Sequence, residues 1–143
     1  MAKGKENNIG EFGEQFMQFK HKPKEAIKHL KKVKRGECIA ALYHSEIGDI
    51  DIVWGVVTDK IKHTGYGLSH IIDKHGAEIK SLGFEVEDFI PIVVQYGELS
   101  LSKTKEEYLL ESRHFRVVIE KAYKGRKKQW LLTAFDLRKK PRK

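Results

Sequence analysis

The sequence predicts an α+β domain, with N-terminal helices and a hairpin followed by a C-terminal antiparallel sheet meander. Three observations carry that prediction. Ile27, Leu30 and Val33 recur at helical spacing among lysines. Asp49–Trp54 alternates strictly, with Ile50, Ile52 and Trp54 on one strand face and Asp49, Asp51 and Val53 on the other. Two long apolar-rich runs, His114–Tyr123 and Lys127–Leu137, flank Lys124-Gly125, as the arms of a hairpin flank its turn.

Each element follows in order. A polar lead occupies residues 1–19, and Pro23 then opens an amphipathic surface helix that Gly36 closes. Cys38–His44 is a short apolar strand, joined to Asp49–Trp54 through Glu46-Ile47-Gly48. Gly65 and Gly67 bracket Tyr66 ahead of a second helix over Leu68–His75, whose face is Leu68, Ile71 and Ile72 and whose end is Gly76. Glu85–Tyr96 spaces Phe89, Ile90, Val93 and Val94 as a third helix, in which Pro91 must occupy the first turn or bend the segment. Strands follow at Leu99–Ser102, at Tyr108–Leu110 and in the two long runs. Centring the turn on Lys124-Gly125 pairs Tyr123 with Arg126 and Arg116 with Thr133. That register makes Phe115, Val117 and Ile119 with Trp130, Leu132 and Ala134 the core face. It leaves Arg116, Val118 and Glu120 with Gln129, Leu131 and Thr133 on the other. The domain proper spans residues 20–137, with a basic tail over 138–143.

Composition bounds what such a domain can be. The 143 residues are 40% hydrophobic, enough for one domain with a real core. The sequence lacks an apolar stretch of about 18 residues, and Met1–Glu6 is polar, so neither a membrane span nor an N-terminal secretory signal is expected. Cys38 is the only cysteine, which excludes an internal disulfide and a cysteine-based zinc cluster, and its apolar strand suits a small core residue better than a nucleophile. The net charge is +8, from 28 Lys+Arg against 20 Asp+Glu. It is concentrated in Lys20–Arg35 and from Lys121 onward, around a middle that is acidic overall. Basic flanks of this kind attract nucleic-acid phosphates, and they also suit acidic partner proteins.

Three blocks carry a family likeness: Gly48-Asp49-Ile50-Asp51-Ile52-Val53-Trp54-Gly55, then Gly67-Leu68-Ser69-His70-Ile71-Ile72-Asp73-Lys74-His75, then Trp130-Leu131-Leu132-Thr133-Ala134-Phe135. Together they resemble the phage and polymorphic-toxin nucleases of the barnase, EndoU, tRNase-colicin and RelE-like (BECR) fold, over roughly Gly10–Leu137. The resemblance implies a compact, metal-independent endoribonuclease, typically the C-terminal toxin module of a larger secreted, contact-delivered or phage-borne polypeptide. It implies RNA as substrate, with tRNA first among the choices, and a site of action in a cytoplasm. A cognate acidic immunity or antitoxin protein is the expected partner, since the producer of such a toxin must survive it.

Metal-free RNA cleavage needs a base for the ribose 2′-OH proton, an acid for the leaving 5′-oxygen, and donors for the phosphorane charge. His70 and His75 suit the acid and base roles, because imidazole titrates near working pH. Five residues apart, they lie about 140° from each other on an ideal helix, whereas Lys74 shares the side of His70. His70 also reads as a half-buried structural histidine, and His75 as a helix-end residue facing the dipole. Arg116 and Thr133 offer a guanidinium fork and a hydroxyl for the scissile phosphate; Arg116 also suits a cross-strand pair with Glu120. Lys74, Tyr66, Lys62 and Glu120 complete the expected substrate-binding set, with Tyr66 either stacking on a base or anchoring its loop. Trp54 and Trp130 are expected in the core. No metal site and no cofactor are predicted, since Asp49 and Asp51 lack further ligands at metal-binding spacing and no Gly-rich phosphate loop precedes a helix. The rival reading is a non-catalytic RNA- or DNA-binding module of a phage or mobile-element protein, in which the basic flanks do the binding. A third is an interaction domain matched to an acidic inhibitor.

Overall fold

Eight strands in the order β1-β2-β3-β4-β10-β9-β8-β7 form the main sheet of this computed structural model, which describes residues 8–10, 12–59, 61–62, 64–101, 107–112 and 115–136. The expected basic tail over 138–143 lies outside the described residues. The elements are β1 (Asn8–Gly10), β2 (Gly13–Phe16), α1 (Pro23–Val33), β3 (Glu37–His44), β4 (Gly48–Val53), β5 (Val56–Asp59), β6 (Thr64–Tyr66), α2 (Gly67–Ser81), α3 (Val86–Tyr96), β7 (Glu98–Leu101), β8 (Glu107–Ser112), β9 (Phe115–Tyr123) and β10 (Arg126–Asp136). β5 and β6 make a separate two-stranded ribbon. No helix among the described residues is long and apolar enough to cross a membrane.

The class is α+β, but the arrangement differs from the expected order in two respects. Only α1 is N-terminal; α2 and α3 follow the β3–β4 hairpin and the β5–β6 ribbon. The sheet is mixed: β7 to β10 form an antiparallel meander, while β2–β3 and β4–β10 are parallel. The β4–β10 pairing joins the two halves of the chain, and in doing so covers an edge that each half would otherwise expose. Its rung is Asp51 against Trp130.

Helix ends follow local chemistry. α1 stops at Lys34, whose left-handed φ of 56° lets its N–H reach the Leu30 carbonyl, two residues before the expected glycine. α2 runs through Gly76, where an end was expected, because buried Ile79 anchors one more turn. Its stop is Gly83 at φ +91°, with Gly83 N–H on Lys80 O and Phe84 N–H on Ile79 O, a Schellman closure. Pro91 lies in the second turn of α3 rather than the first, and forgoes a bond to the Glu87 carbonyl.

The β9–β10 register departs from simple counting. Tyr123 does face Arg126, but two one-residue irregularities in β10 put Thr133 opposite Val118 and Arg116 opposite Phe135. Trp130 therefore pairs with Glu120 and leaves the face of Val117 and Ile119; Leu131 and Ala134 take the inner places. Trp130 is buried all the same, under aromatic rings on the opposite face.

All three helices pack into one core: Ile27 and Leu30, Leu68, Ile71 and Ile79, and Phe89, Ile90 and Val93 meet Cys38, Ile50, Ile52, Val117, Ile119 and Leu131 of the sheet. Each fully buried Leu or Ile contributes about 2 kcal/mol, and such burial holds a fold that has no internal disulfide. Burial also pushes the Cys38 thiol up to about 12, helped by the charges of Glu37 and Asp51. The thiol of the native protein is therefore expected to stay unmodified by an aromatic disulfide reagent at pH 8 and to react fully once the chain is denatured. The unfolded thiol ionises near 9, so this group disfavours the folded state as pH rises from about 9 toward 12.

Candidate active site

The three sequence blocks converge. Strand β4 ends at Val53 and the chain runs on through Trp54 to Gly55, and helix α2 begins at Gly67 directly against it: a Cβ on Gly55 would lie 2.0 Å from the Tyr66 carbonyl oxygen. Both residues have positive φ, so the close approach requires glycine at both motif positions. The Trp54 carbonyl then accepts the Ser69 N–H at 2.8 Å, which caps a helix that has no side-chain cap. α2 packs on β10 and β4, and the Asp51–Trp130 rung links those strands.

On α2 the two histidines meet despite their spacing. The His70 and His75 ring centroids are 6.3 Å apart and nearly perpendicular. Helical side chains lean toward the N-terminus, which brings His75 back over the turn that carries His70. His70 is buried and His75 mostly so, with His75 Nδ1 3.5 Å from Glu78 Oε2. Two imidazoles with a carboxylate beside one of them can divide acid and base roles. Lys74, one turn from His70, ends exposed at the surface.

The remaining expected residues are distributed across the sheet and the ribbon. Arg116 is held by Glu111 of β8, its Nε donating to Glu111 Oε2 at 2.6 Å across the ladder, whereas Glu120 stands on the same strand as Arg116. The Thr133 hydroxyl is buried with no hydrogen-bond partner among the described residues. Glu120 is half-buried between Glu107 and Trp130 in the ladder. Lys62 is exposed in the β5–β6 turn, where its N–H donates to Asp59. Tyr66 packs edge-on against Trp130 and Phe12, and burial, then the neighbouring Tyr123 with its hydrogen bond, raises its pKa.

Sequence reasoning missed a buried polar cluster on the sheet face opposite the helices. Lys128 Nζ lies 2.7 Å from Glu37 Oε1 and 2.6 Å from Asp51 Oδ2, and Glu37 is fully buried. Gln15 donates to Glu37 Oε2 at 3.1 Å. The second oxygen of Asp51 accepts the Ala40 N–H at 2.7 Å, freed by a bulge at which Ala40 takes φ 55°. Burial opposes the Lys128 charge, but hydrogen bonds to Asp51 and Glu37 outweigh it and hold the ammonium pKa above its ordinary value. The sequence signal was slight: Glu37 opens a strand that is apolar from Cys38 to Leu42, and its lysine partner lies far along the chain.

Among the described residues, no three His, Cys, Asp or Glu side chains are grouped as a metal site requires. Residues 41–141 match the model of a family described as phage-Barnase-EndoU-ColicinE5/D-RelE like nuclease. Neither a curated protein nor a solved structure matches the chain.

Proposed function

From a chain that belongs to the phage Barnase-EndoU-ColicinE5/D-RelE-like nuclease family, we propose a metal-independent endoribonuclease. The observation that carries this reading is the pair of imidazoles at 6.3 Å on α2. One ring takes the proton of a ribose 2′-OH as that oxygen attacks phosphorus; the other gives a proton to the departing 5′-oxygen as the P–O5′ bond breaks. The products are a 2′,3′-cyclic phosphate and a 5′-hydroxyl end. Thr133, on the strand that α2 packs against, and Arg116 on its neighbour are the hydroxyl and cation proposed for the phosphorane charge. Tyr66, Lys74, Lys62 and Glu120 are the proposed contacts to the rest of the RNA. The test is RNA against an oligomer carrying a 2′-deoxy nucleotide at the cut site, which lacks the attacking group and must resist cleavage.

tRNA is the RNA proposed first, with a toxin's role in a target cytoplasm and an acidic immunity protein as partner; the support is the family and the +8 charge. The burial of His70 favours one rival, a nucleic-acid-binding module with structural histidines. It predicts salt-sensitive retention of RNA without new ends.

A further inference from the structure

The Glu37–Lys128–Asp51 cluster forms the floor of a cleft of about 330 Å³, lined also by Gly10, Gln15, Tyr123, Arg126 and Lys127. Its floor is built rather than incidental. A Cβ at Gly10 would come 2.4 Å from Gln15 Nε2 and 2.8 Å from Glu37 Oε2, so a side chain there would have to displace the Gln15 amide that donates to the buried carboxylate. Gly10, Gln15 and Glu37 all precede residues 41–141, so this cleft combines the family-matched domain with strands outside the match.

In the other basic flank three of the eight Lys and Arg are tied to carboxylates: Lys31 to Glu87 at 2.9 Å, Lys24 to Asp88 at 3.1 Å and Arg35 to Glu14 at 3.0 Å. Arg126 and Lys127 are exposed and make no ion pair among the described residues. Lys128 spends two of its three N–H donors on the carboxylates, and the third remains for a ligand. Tyr123 adds an aromatic wall, backed by Phe12 at 4.3 Å between ring centroids.

We propose that this cleft is a second anchoring site for single-stranded RNA, outside the histidine pair. One backbone phosphate lies on Arg126, Lys127 and the third Lys128 N–H, and an adjacent base stacks on Tyr123. The proposal rests on the endoribonuclease reading for its choice of RNA as the nucleic acid. Glu37 and Asp51 hold the lysine in place and take no part in proton transfer.

The experiment measures binding of a labelled 2′-O-methyl oligouridylate of about 12 nucleotides, which cannot be cut, to the full chain over a range of salt. Arg126→Ala/Lys127→Ala is expected to weaken binding about tenfold or more and to lower the salt slope by about 0.7, from the one phosphate these side chains neutralise on a single strand. Lys80→Ala, which removes an exposed charge from α2, should change Kd by no more than about twofold. Equal binding by the double variant and Lys80→Ala overturns the proposal, as does inorganic phosphate binding as tightly as the oligomer. An acidic protein as the cleft's true partner would give the first of these results. Because the oligomer cannot be cleaved, the two readings fail separately. Binding lost in the double variant while RNA goes uncut removes the catalytic reading alone; cleavage with unchanged binding in the double variant removes the anchoring site alone.

Discussion

His75→Ala is expected to slow RNA cleavage about 1,000-fold, the range for loss of one positioned acid or base, while the folded state stays intact. Its side chain is largely covered and faces Glu78, so the truncation should lower stability by about 1 kcal/mol. The decisive readout is the pH–rate profile. A pair of imidazoles gives a bell, and the variant should keep only one limb. His70→Gln, which conserves more of the volume of a buried ring, should lose the other limb. A profile that stays bell-shaped in both variants would assign the histidines a structural role.

Lys128→Met should destabilise the protein by about 3 kcal/mol, since removing one partner of a buried ion pair leaves the other carboxylate uncompensated. For a chain of 143 residues that is a fall in Tm of about 10 °C. Among the described residues, Glu37 would keep the Gln15 N–H and Asp51 the Ala40 N–H. Adding Glu37→Gln should then recover about half of the loss, and a double-mutant cycle should show coupling above 1 kcal/mol. The pH dependence has a definite sign. The Lys128 pKa is raised in the fold, so its contribution is complete below the ordinary lysine value of 10.5 and is lost as pH rises through the folded value. The gap between wild type and Lys128→Met should therefore be constant at neutral pH and narrow only in alkali. Additive losses in the cycle would show that the cluster is not a coupled unit.

What the sequence revealed and what it concealed divide along physical lines. α1, the β3–β4 hairpin, α3 and the β9–β10 turn were legible because each depends on local periodicity or on a turn dipeptide. The strands β1, β2, β5 and β6 were not, being three or four residues long with mixed polarity, too short for any period to repeat. The β9–β10 register was lost because two bulges in β10 leave no mark in the alternation, and each shifts the pairing by one. Trp130 changed faces as a result, and Arg116 acquired Glu111 as its partner. The same pattern holds for the candidate sites. The histidines were found because one helix carries both, whereas Lys128 and Asp51 lie 77 residues apart and each alone resembles a solvent-facing charge. The charge segregation acquired a structural meaning: three cations of the first basic flank are tied to acidic partners, and Arg126 and Lys127 at the β9–β10 turn stand at the rim of a cleft.

The central claim is cleavage of RNA through its own 2′-OH, and the most direct measurement incubates the purified chain, in EDTA, with an RNA oligomer and its counterpart bearing 2′-deoxy nucleotides. The account predicts that the RNA is cut to fragments ending in 2′,3′-cyclic phosphate and the deoxy counterpart is untouched. Cleavage of both oligomers, or of neither until a divalent metal is restored, would contradict it.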